Sequence, residues 1–585
     1  MAMAKTYREV HSEANILVVD YAGSVGGTWA HERLYPGLKT NNLVGSYEFS
    51  DFPLVPEQYG VEQGQHIPGR VVHHYLRDFC DAYDLTSSIR LRTKVESATL
   101  LESGEWHLSL LILPATGGSG AGGNAEHPES DQSNEVVTSR LVLATGLTSE
   151  PFIPHLPGRE NFKGTIFHAK DFKPRAHELT GARSVVVIGG NKSAWDVCYS
   201  AAVRFGAQAH MIMRRSGGGP SWVWPAKMKG YLPSISAISA TRLFTWLDPN
   251  PYGDSAWPIR ALVHRTWIGR KLSGLFWKYL DDMVTRLNGY GERPGTASLK
   301  PWSSTFWMGN SLSIHNYESS WFDLAAKGQI TAHAAEVMSL SETAIHLTDG
   351  TNIEADVVVC CTGWEATPSI RVLPDSVAPR LGFPGSKSDN LVLAAKVRAE
   401  VFRQAPILSS QPERRLLTTL PAKRNERSVK AVDQFPALSP YRLYRFVVPC
   451  DREFIQMRNL AVIGAHITLH TTMVAQAQAL WITAFFDGKV PELATAVGFE
   501  PDYAAIQRET FYHTEYQRVR RPKETGGMGD RCPDLVFDSL PYVDLLLSDI
   551  GVRSHRKSSW YREVTEAYRL SDFKGLVQEW LMKWK

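Results

Sequence analysis

A chain of 585 residues is too long for a single hydrophobic core and calls for two or three domains. Its 43% hydrophobic and 21% charged content is that of a globular protein, and a formal net charge of +3 gives no reason to expect a nucleic acid or an anionic membrane as partner. The six cysteines (Cys80, Cys198, Cys360, Cys361, Cys450, Cys532) form neither a CxxC pair nor a metal-ligand spacing, no signal-peptide core opens the chain, and the longest apolar run, 475–486, is too short to span a bilayer; a cytoplasmic protein with no metal is expected.

In chain order, residues 1–11 read as a helix and Ile16-Leu17-Val18-Val19-Asp20 as a buried strand ending in a carboxylate, closely followed by Gly26-Gly27-Thr28-Trp29. In a dinucleotide-binding unit, an acid in that place holds the adenosine ribose about 20 residues beyond a glycine turn. Asp20 stands where that acid belongs, while the strand and glycine turn that should precede the helix would lie ahead of Met1. Residues 106–113 and 136–143 look like paired strands. They are joined by 114–135, a Gly-, Ser-, Asn- and Glu-rich stretch with little to bury, expected as a disordered hairpin tip.

A second dinucleotide unit opens at Ser184-Val185-Val186-Val187-Ile188-Gly189 and continues through Gly190-Asn191-Lys192-Ser193-Ala194 into a helix. Free backbone N–H groups and the positive end of the helix dipole would receive phosphate oxygens there. Asn191 replaces the usual central glycine, and Ala194 is a permitted small residue for close helix–strand packing. The next strand, 209–213, ends in Arg214-Arg215 in place of an acid, which suits a ribose 2′-phosphate and therefore NADPH over NADH. From 222 to 321 lie nine of the seventeen tryptophans, expected chiefly as core fillers of an inserted lobe, with substrate lining as the alternative. The basic stretch 413–430 reads as a solvated face.

Two apolar strands end in Thr-Gly: Leu141 to Thr145-Gly146, and Val357 to Thr362-Gly363-Trp364. A glycine there lets the chain turn and pass close to a cofactor. Flanking the second unit, these motifs are expected as the crossings between two domains.

The chain resembles class B flavin-dependent monooxygenases, specifically the flavin-containing monooxygenase family in its fungal form. The resemblance runs through Gly26-Gly27-Thr28-Trp29, Tyr35-Pro36-Gly37-Leu38-Lys39-Thr40-Asn41, Phe49-Ser50-Asp51-Phe52-Pro53 and the linker pattern Phe162-x-Gly164-x-x-x-His168-x-x-x-Phe172. It continues at Leu460-Ala461-Val462-Ile463-Gly464-Ala465 and the helix behind it, and is weakest at 222–307 and 371–448.

The family implies an α/β fold. A parallel-sheet FAD-binding domain (1–150 and 346–585) is interrupted by a smaller Rossmann-like NADPH domain (151–345), with a helical C-terminal cap over the substrate. It implies that NADPH reduces FAD and that a flavin C4a-hydroperoxide passes one oxygen atom of O2 to a small organic substrate, in fungal relatives often a specialised metabolite. Asn41, which would hydrogen-bond the oxygenated flavin, and the fingerprint residue His168 are the expected catalytic positions. FAD would contact Asp20, Gly26, Gly27, Thr28, Trp29, Val95 and Gly146, and NADPH would contact Gly189, Asn191, Lys192, Ser193, Arg214 and Arg215; Thr362 and Gly363 border the cofactors.

Baeyer–Villiger relatives usually carry Asp in place of Asn41 and Trp in place of Phe172. Such an oxygenase is the alternative enzyme, and a non-catalytic nucleotide-binding paralogue is the alternative of another class. Family members begin with a strand and GxGxxG that lead into a segment like 2–7, so that segment is expected to be missing here, by late assignment of the start or by true truncation. A chain lacking it is expected to leave two strand edges open and to hold FAD poorly.

Overall fold

The computed structural model describes residues 1–114, 134–225, 234–252, 257–309, 312–385, 389–412, 439–494 and 500–584. The expected tip at 114–135 and the basic stretch lie almost entirely outside these residues.

Its most regular element is a five-stranded parallel sheet. The strands lie in the order Ile330–Ala334, Gln208–Met213, Ser184–Ile188, Val357–Cys360, Thr165–His168. The central strands are runs of Val, Ile and Met buried on both faces, as a sheet covered by helices on one side and a second layer on the other requires. The helix Lys192–Arg204 covers one face, where Trp195 packs against Trp321 at 4.1 Å between ring centroids. An antiparallel layer, Val337–Leu340, Ala344–Leu347 and Asn352–Glu354, lies over the other. Because Val357–Cys360 pairs within this sheet, the chain leaves it only after Cys360, later than the boundary expected at 346.

The first unit has three parallel pairings among the described residues. Val18–Val19 pairs with Ile89–Arg90, Arg371–Leu373 with Thr93–Leu100, and Leu141–Leu143 with Leu460–Val462. The apolar run from Ile16 is strand only at Val18–Val19, where Ile89–Arg90 offers hydrogen bonds. The helix Ala2–Val10 packs on the long buried helix Thr471–Phe486. The stretch 136–143 is not one strand. Glu135–Thr138 pairs antiparallel with Trp106–Ile112, the chain then bends at Ser139–Arg140, and Leu141–Leu143 joins Leu460–Val462, the strand that leads to Gly464.

The tryptophan-rich lobe joins two cores. Trp222, Trp224, Phe244, Trp277 and Phe306 share a core with Phe537 and Trp481 of the C-terminal region, so most of the lobe is built onto the cap, while Val223, Leu299 and Trp321 pack into the core of the nucleotide sheet. Core filling prevails at these positions. At the seam, the buried Arg242 guanidinium reaches both Asp544 and Glu563, and Tyr568 OH donates to Glu563. Removing one partner of such a pair strands a buried charge. Arg242→Met is expected to lower stability by about 3–5 kcal/mol, read as a fall in the urea midpoint. Denaturation at the wild-type midpoint would show the seam to be dispensable.

Candidate functional site

The two Thr-Gly crossings run side by side. Phe152 N donates to Gly363 O at 3.0 Å, Glu365 N donates to Glu150 O at 2.9 Å, and Pro151 bridges Trp364. Gly146 and Gly363 have φ of 64° and 89°, and a Cβ at either would meet no atom within 4 Å, so both turns face open space. The Thr362 hydroxyl is used internally, donating to Phe152 O.

His168 locks this junction. Its Nδ1 accepts from Lys170 N at 3.0 Å, which places the ring proton on Nε2, and Nε2 donates to Gly363 O at 3.0 Å. Burial pushes its pKa down, keeping the ring neutral. The Trp364 ring meets it edge-on at 5.1 Å and lies beneath the Arg33 guanidinium at 5.3 Å. Arg33 also donates to Thr148 O at 3.3 Å, and Thr28 Oγ1 lies 3.3 Å from Thr148 Oγ1, which ties the Gly26-Gly27-Thr28-Trp29 loop to the first crossing.

Asn41 sits on the strand Lys39–Leu43. Its Oδ1 is shut off from solvent and accepts no hydrogen bond, and both ring nitrogens of nearby His66 are likewise buried without partners. Burial lowers the His66 pKa, and the backbone of Asn42 and Thr40 faces the ring. Neighbouring side chains spend their bonds on the frame: Asn42 Nδ2 donates to Leu469 O at 2.8 Å, and Thr40 Oγ1 accepts from Ile67 N at 3.1 Å. A buried acceptor left open between two satisfied neighbours fits a ligand N–H donor.

Lys192, expected on NADPH, is turned inward. Its ammonium binds the Asp196 carboxylate, Asn316 Oδ1 at 2.8 Å and Tyr317 OH at 3.1 Å. Asn316 Nδ2 in turn donates to the carbonyls of Lys39 and Thr40, each at 3.2 Å, immediately before Asn41. Tyr35 and Tyr317 donate to the two oxygens of Asp196, both at 2.8 Å. Burial lowers the Lys192 pKa while Asp196 opposes the shift. Sequence reasoning missed Asn316, Tyr317 and the role of Asp196. Their only signal was a polar pair directly after the apolar strand Leu312–His315.

On the nucleotide loop, Gly189 has φ 149° and a Cβ there would stand 2.5 Å from Cys361 O; at Gly190 it would stand 2.5 Å from Gly219 O. The loop therefore needs both glycines. Asn191 and Ser193 lie exposed at the first turn of the helix Lys192–Arg204. Arg214 and Arg215 separate, as adjacent residues leaving a strand do. Arg215 Nε donates to Ala334 O at 2.5 Å, whereas Arg214 lies close enough to Arg531 to oppose its charge; burial is the larger cause of the lowered Arg531 pKa.

On the opposite side, Asp20 follows Val19, and its Oδ1 accepts from Ala22 N at 2.9 Å; burial raises its pKa. Gly26 (φ 120°) and Gly27 (φ 58°) make a left-handed turn before the half-buried Trp29, whose Nε1 donates to Tyr47 OH at 2.9 Å. Val95 is half-buried in Thr93–Leu100, the strand whose Thr93 N donates to Asp20 O at 2.9 Å. Beyond the last parallel strand, Gly464 (φ 74°) opens onto empty space. His466 Nδ1 is a buried orphan, and Thr472 Oγ1, at the start of Thr471–Phe486, is another.

Comparison with known proteins follows this geometry. Residues 26–248 match the family model of flavin-binding monooxygenase-like proteins. The chain is 30% identical over 608 residues to the FAD-dependent monooxygenase rstn6 of Aspergillus nomiae, covering 99% of this chain and 96% of the relative. It is 32% identical over 604 residues to the FAD-dependent monooxygenase resA of Aspergillus sclerotiorum, with the same coverages. Among solved structures, NADP+-bound cyclohexanone monooxygenase from Rhodococcus sp. Phi1 superposes with a TM-score of 0.54 at 16% identity, over 93% of this chain and 94% of that one. The two-domain α/β architecture is that of these enzymes.

Burial pushes His466 and His470 down to about 4, as it does His264 and His513. Neutral when folded and titrating at the ordinary 6.5 when unfolded, these rings contribute stability in full above 6.5. They lose it as the pH falls from 6.5 towards 4, at about 1.4 kcal/mol per unit for each ring. A melting temperature that declines already between pH 6.5 and 5, above the carboxylate range, is the expected result; a flat profile there would show the rings accessible. Separately, Asn316→Ala leaves the Lys39 and Thr40 carbonyls and the Lys192 ammonium short of a partner, so stability is expected to fall by about 1–3 kcal/mol in denaturant titration.

Proposed function

Because the chain belongs to the family of flavin-binding monooxygenase-like proteins, we propose that it is an FAD- and NADPH-dependent monooxygenase. In this reading it places one atom of O2 into a small organic substrate. The second atom leaves as water, with NADPH oxidised and one proton consumed. The observation that carries the reading is the unpartnered, buried Asn41 Oδ1 on a strand anchored through Asn316 to the lysine of the nucleotide loop.

Bound FAD, reduced by NADPH, supplies the electrons that activate O2. The residues described fit such groups. Asp20, at the end of its strand, would take a ribose hydroxyl. The turns at Gly27, Gly146 and Gly464 leave room for close backbone approach, as do Thr362 and Gly363 at the second crossing, while Gly26 lets the first turn fold tightly back on Trp29 and Ala30. Trp29 offers a flat apolar surface, and Val95 an apolar wall near Asp20. Asn41 Oδ1 would accept an N–H from the flavin or the nicotinamide, holding the reacting groups in register. Neutral His168 would position the junction by fixing Gly363, as a neighbour to the chemistry. On the second nucleotide, the first-turn N–H groups at Asn191 and Ser193 would receive phosphate beside Gly189. Arg214 would take the 2′-phosphate while Arg215 holds the neighbouring strand. Lys192 would act through Asn316 on the strand of Asn41.

The test is NADPH consumption by the FAD-reconstituted protein, with product analysis across thioethers, amines and ketones. Oxygenated heteroatoms or carbons support the reading, esters from ketones assign Baeyer–Villiger insertion, and no NADPH consumption overturns both. Asn41→Ala is expected to keep NADPH consumption while the product formed per NADPH falls about tenfold or more, the scale of losing a positioned hydrogen bond at the reacting group. Arg214→Ala is expected to raise the KM for NADPH about 10- to 100-fold and leave that for NADH unchanged, as loss of a charge-assisted contact to the 2′-phosphate requires.

A further inference from the structure

The turn that follows Leu460–Val462 brings three parts of the chain together at one imidazole. Gly464 opens the turn, and His470 closes it immediately before the helix Thr471–Phe486. Leu469 O accepts from Asn42 Nδ2 at 2.8 Å, which ties the turn to the strand of Asn41. Thr468 Oγ1 accepts from His470 N at 2.9 Å and lies 2.6 Å from Ser539 Oγ, on the cap helix Ser539–Asp549. From the tryptophan-rich lobe, Ser239 at the end of the short helix Ile235–Ser239 places its Oγ 3.3 Å from His470 Nε2.

The serine decides which ring nitrogen carries the proton. A hydroxyl has one proton to give, and that of Ser239 goes to Ser236 O at 3.0 Å. Ser239 Oγ is then an acceptor towards the ring, so the proton sits on Nε2 and Nδ1 keeps its lone pair. Among the described residues nothing donates to His470 Nδ1, and unlike Asn41 Oδ1 it is not sealed from solvent. His466, four residues earlier on the same turn, holds a second Nδ1 without a partner.

The surroundings are apolar and uncharged. His470 is only half-buried, yet burial pushes its pKa down to about 4 and no charged group contributes. A ring that meets solvent while largely dehydrated fronts an inner recess and not the outer surface. Its chain neighbours agree: Ala465 and Ile467 on the turn, and Ile238 beside Ser239, are half-buried apolar side chains packed against the core of the cap. An apolar recess with one oriented acceptor is the common form of a small-molecule site. A neutral acceptor has nothing to offer a carboxylate or a phosphate. It favours a neutral O–H donor, because an analogue without one leaves the nitrogen dehydrated and unpaired.

We propose, resting on the monooxygenase reading above for the recess as the place of the substrate, that His470 Nδ1, oriented by Ser239, selects neutral organic substrates that carry a hydroxyl group.

The test is equilibrium dialysis of the FAD-reconstituted protein against 2-naphthol and its isostere 2-methylnaphthalene, each followed by its own fluorescence, with no turnover. 2-Naphthol is expected to bind about tenfold or more tightly, the scale of leaving a buried acceptor unpaired. His470→Phe is expected to abolish or reverse that preference, since the isostere then gains from its greater apolarity. His470→Asn, whose Oδ1 takes the place of Nδ1, is expected to retain part of it, and Ser239→Ala to lower it by a smaller factor than His470→Phe. Equal binding of the two probes by the wild type would overturn the proposal, as would binding of neither. A preference that survives His470→Phe would assign the hydroxyl to another group and overturn it equally. NADPH consumption is read separately. A protein that consumes NADPH without preferring 2-naphthol sinks the selectivity alone, and one that prefers 2-naphthol without consuming NADPH sinks the monooxygenase reading alone.

Discussion

The buried ammonium of Lys192 is the point on which the arrangement of the site turns. A lysine taken out of water must be surrounded by acceptors, and those it finds belong to different parts of the chain: Asp196 on its own helix, and Asn316 and Tyr317 directly after the strand Leu312–His315. Asn316 passes the constraint to the carbonyls of Lys39 and Thr40, and Tyr35 closes the circuit on Asp196. Each member is satisfied by another, so displacing one strands several buried polar groups together. The strand of Asn41 is thereby held at a set distance from the nucleotide loop, which is what two cofactors meeting at one place would demand.

Against that rigid circuit stand the groups left open. Asn41 Oδ1, both nitrogens of His66, His466 Nδ1 and Thr472 Oγ1 are buried without partners. Native interiors rarely tolerate such groups. Others lie in the C-terminal core, at Arg520, Asp538 and Trp580 among them, so it is the place of Asn41 on the strand tied to the nucleotide loop, and not its open acceptor alone, that points to a ligand.

Much of this was legible in the sequence. Uninterrupted Val and Ile runs mark strands buried on both faces, and the five-stranded sheet contains the runs at Ser184–Ile188 and Val357–Cys360. The pairing of Gly189 with a helix start, and the paired Thr-Gly endings, could be read locally because each depends on neighbours within a few residues. What could not be read depends on distant partners. Residues 136–143 look like one strand, yet the second half leaves to join Leu460–Val462, over three hundred residues away. Arg214 and Arg215 are chemically identical in sequence, and their distant surroundings set them apart: the carbonyl of Ala334 takes Arg215, and Arg214 lies towards Arg531. A tryptophan count announces a core without saying which wall it joins; Arg242, Asp544 and Glu563 decide that.

The adjacency of the two crossings carries a mechanical meaning. The five-stranded sheet is joined to the rest of the chain at two places: the paired crossings pinned at Pro151–Trp364 and fastened by His168, and the lobe that leaves after Met213, packs on the C-terminal core and returns at Ile330. With attachments on two sides and the Lys192 circuit between them, the orientation of the sheet is fixed by covalent connection and by buried polar bonds together.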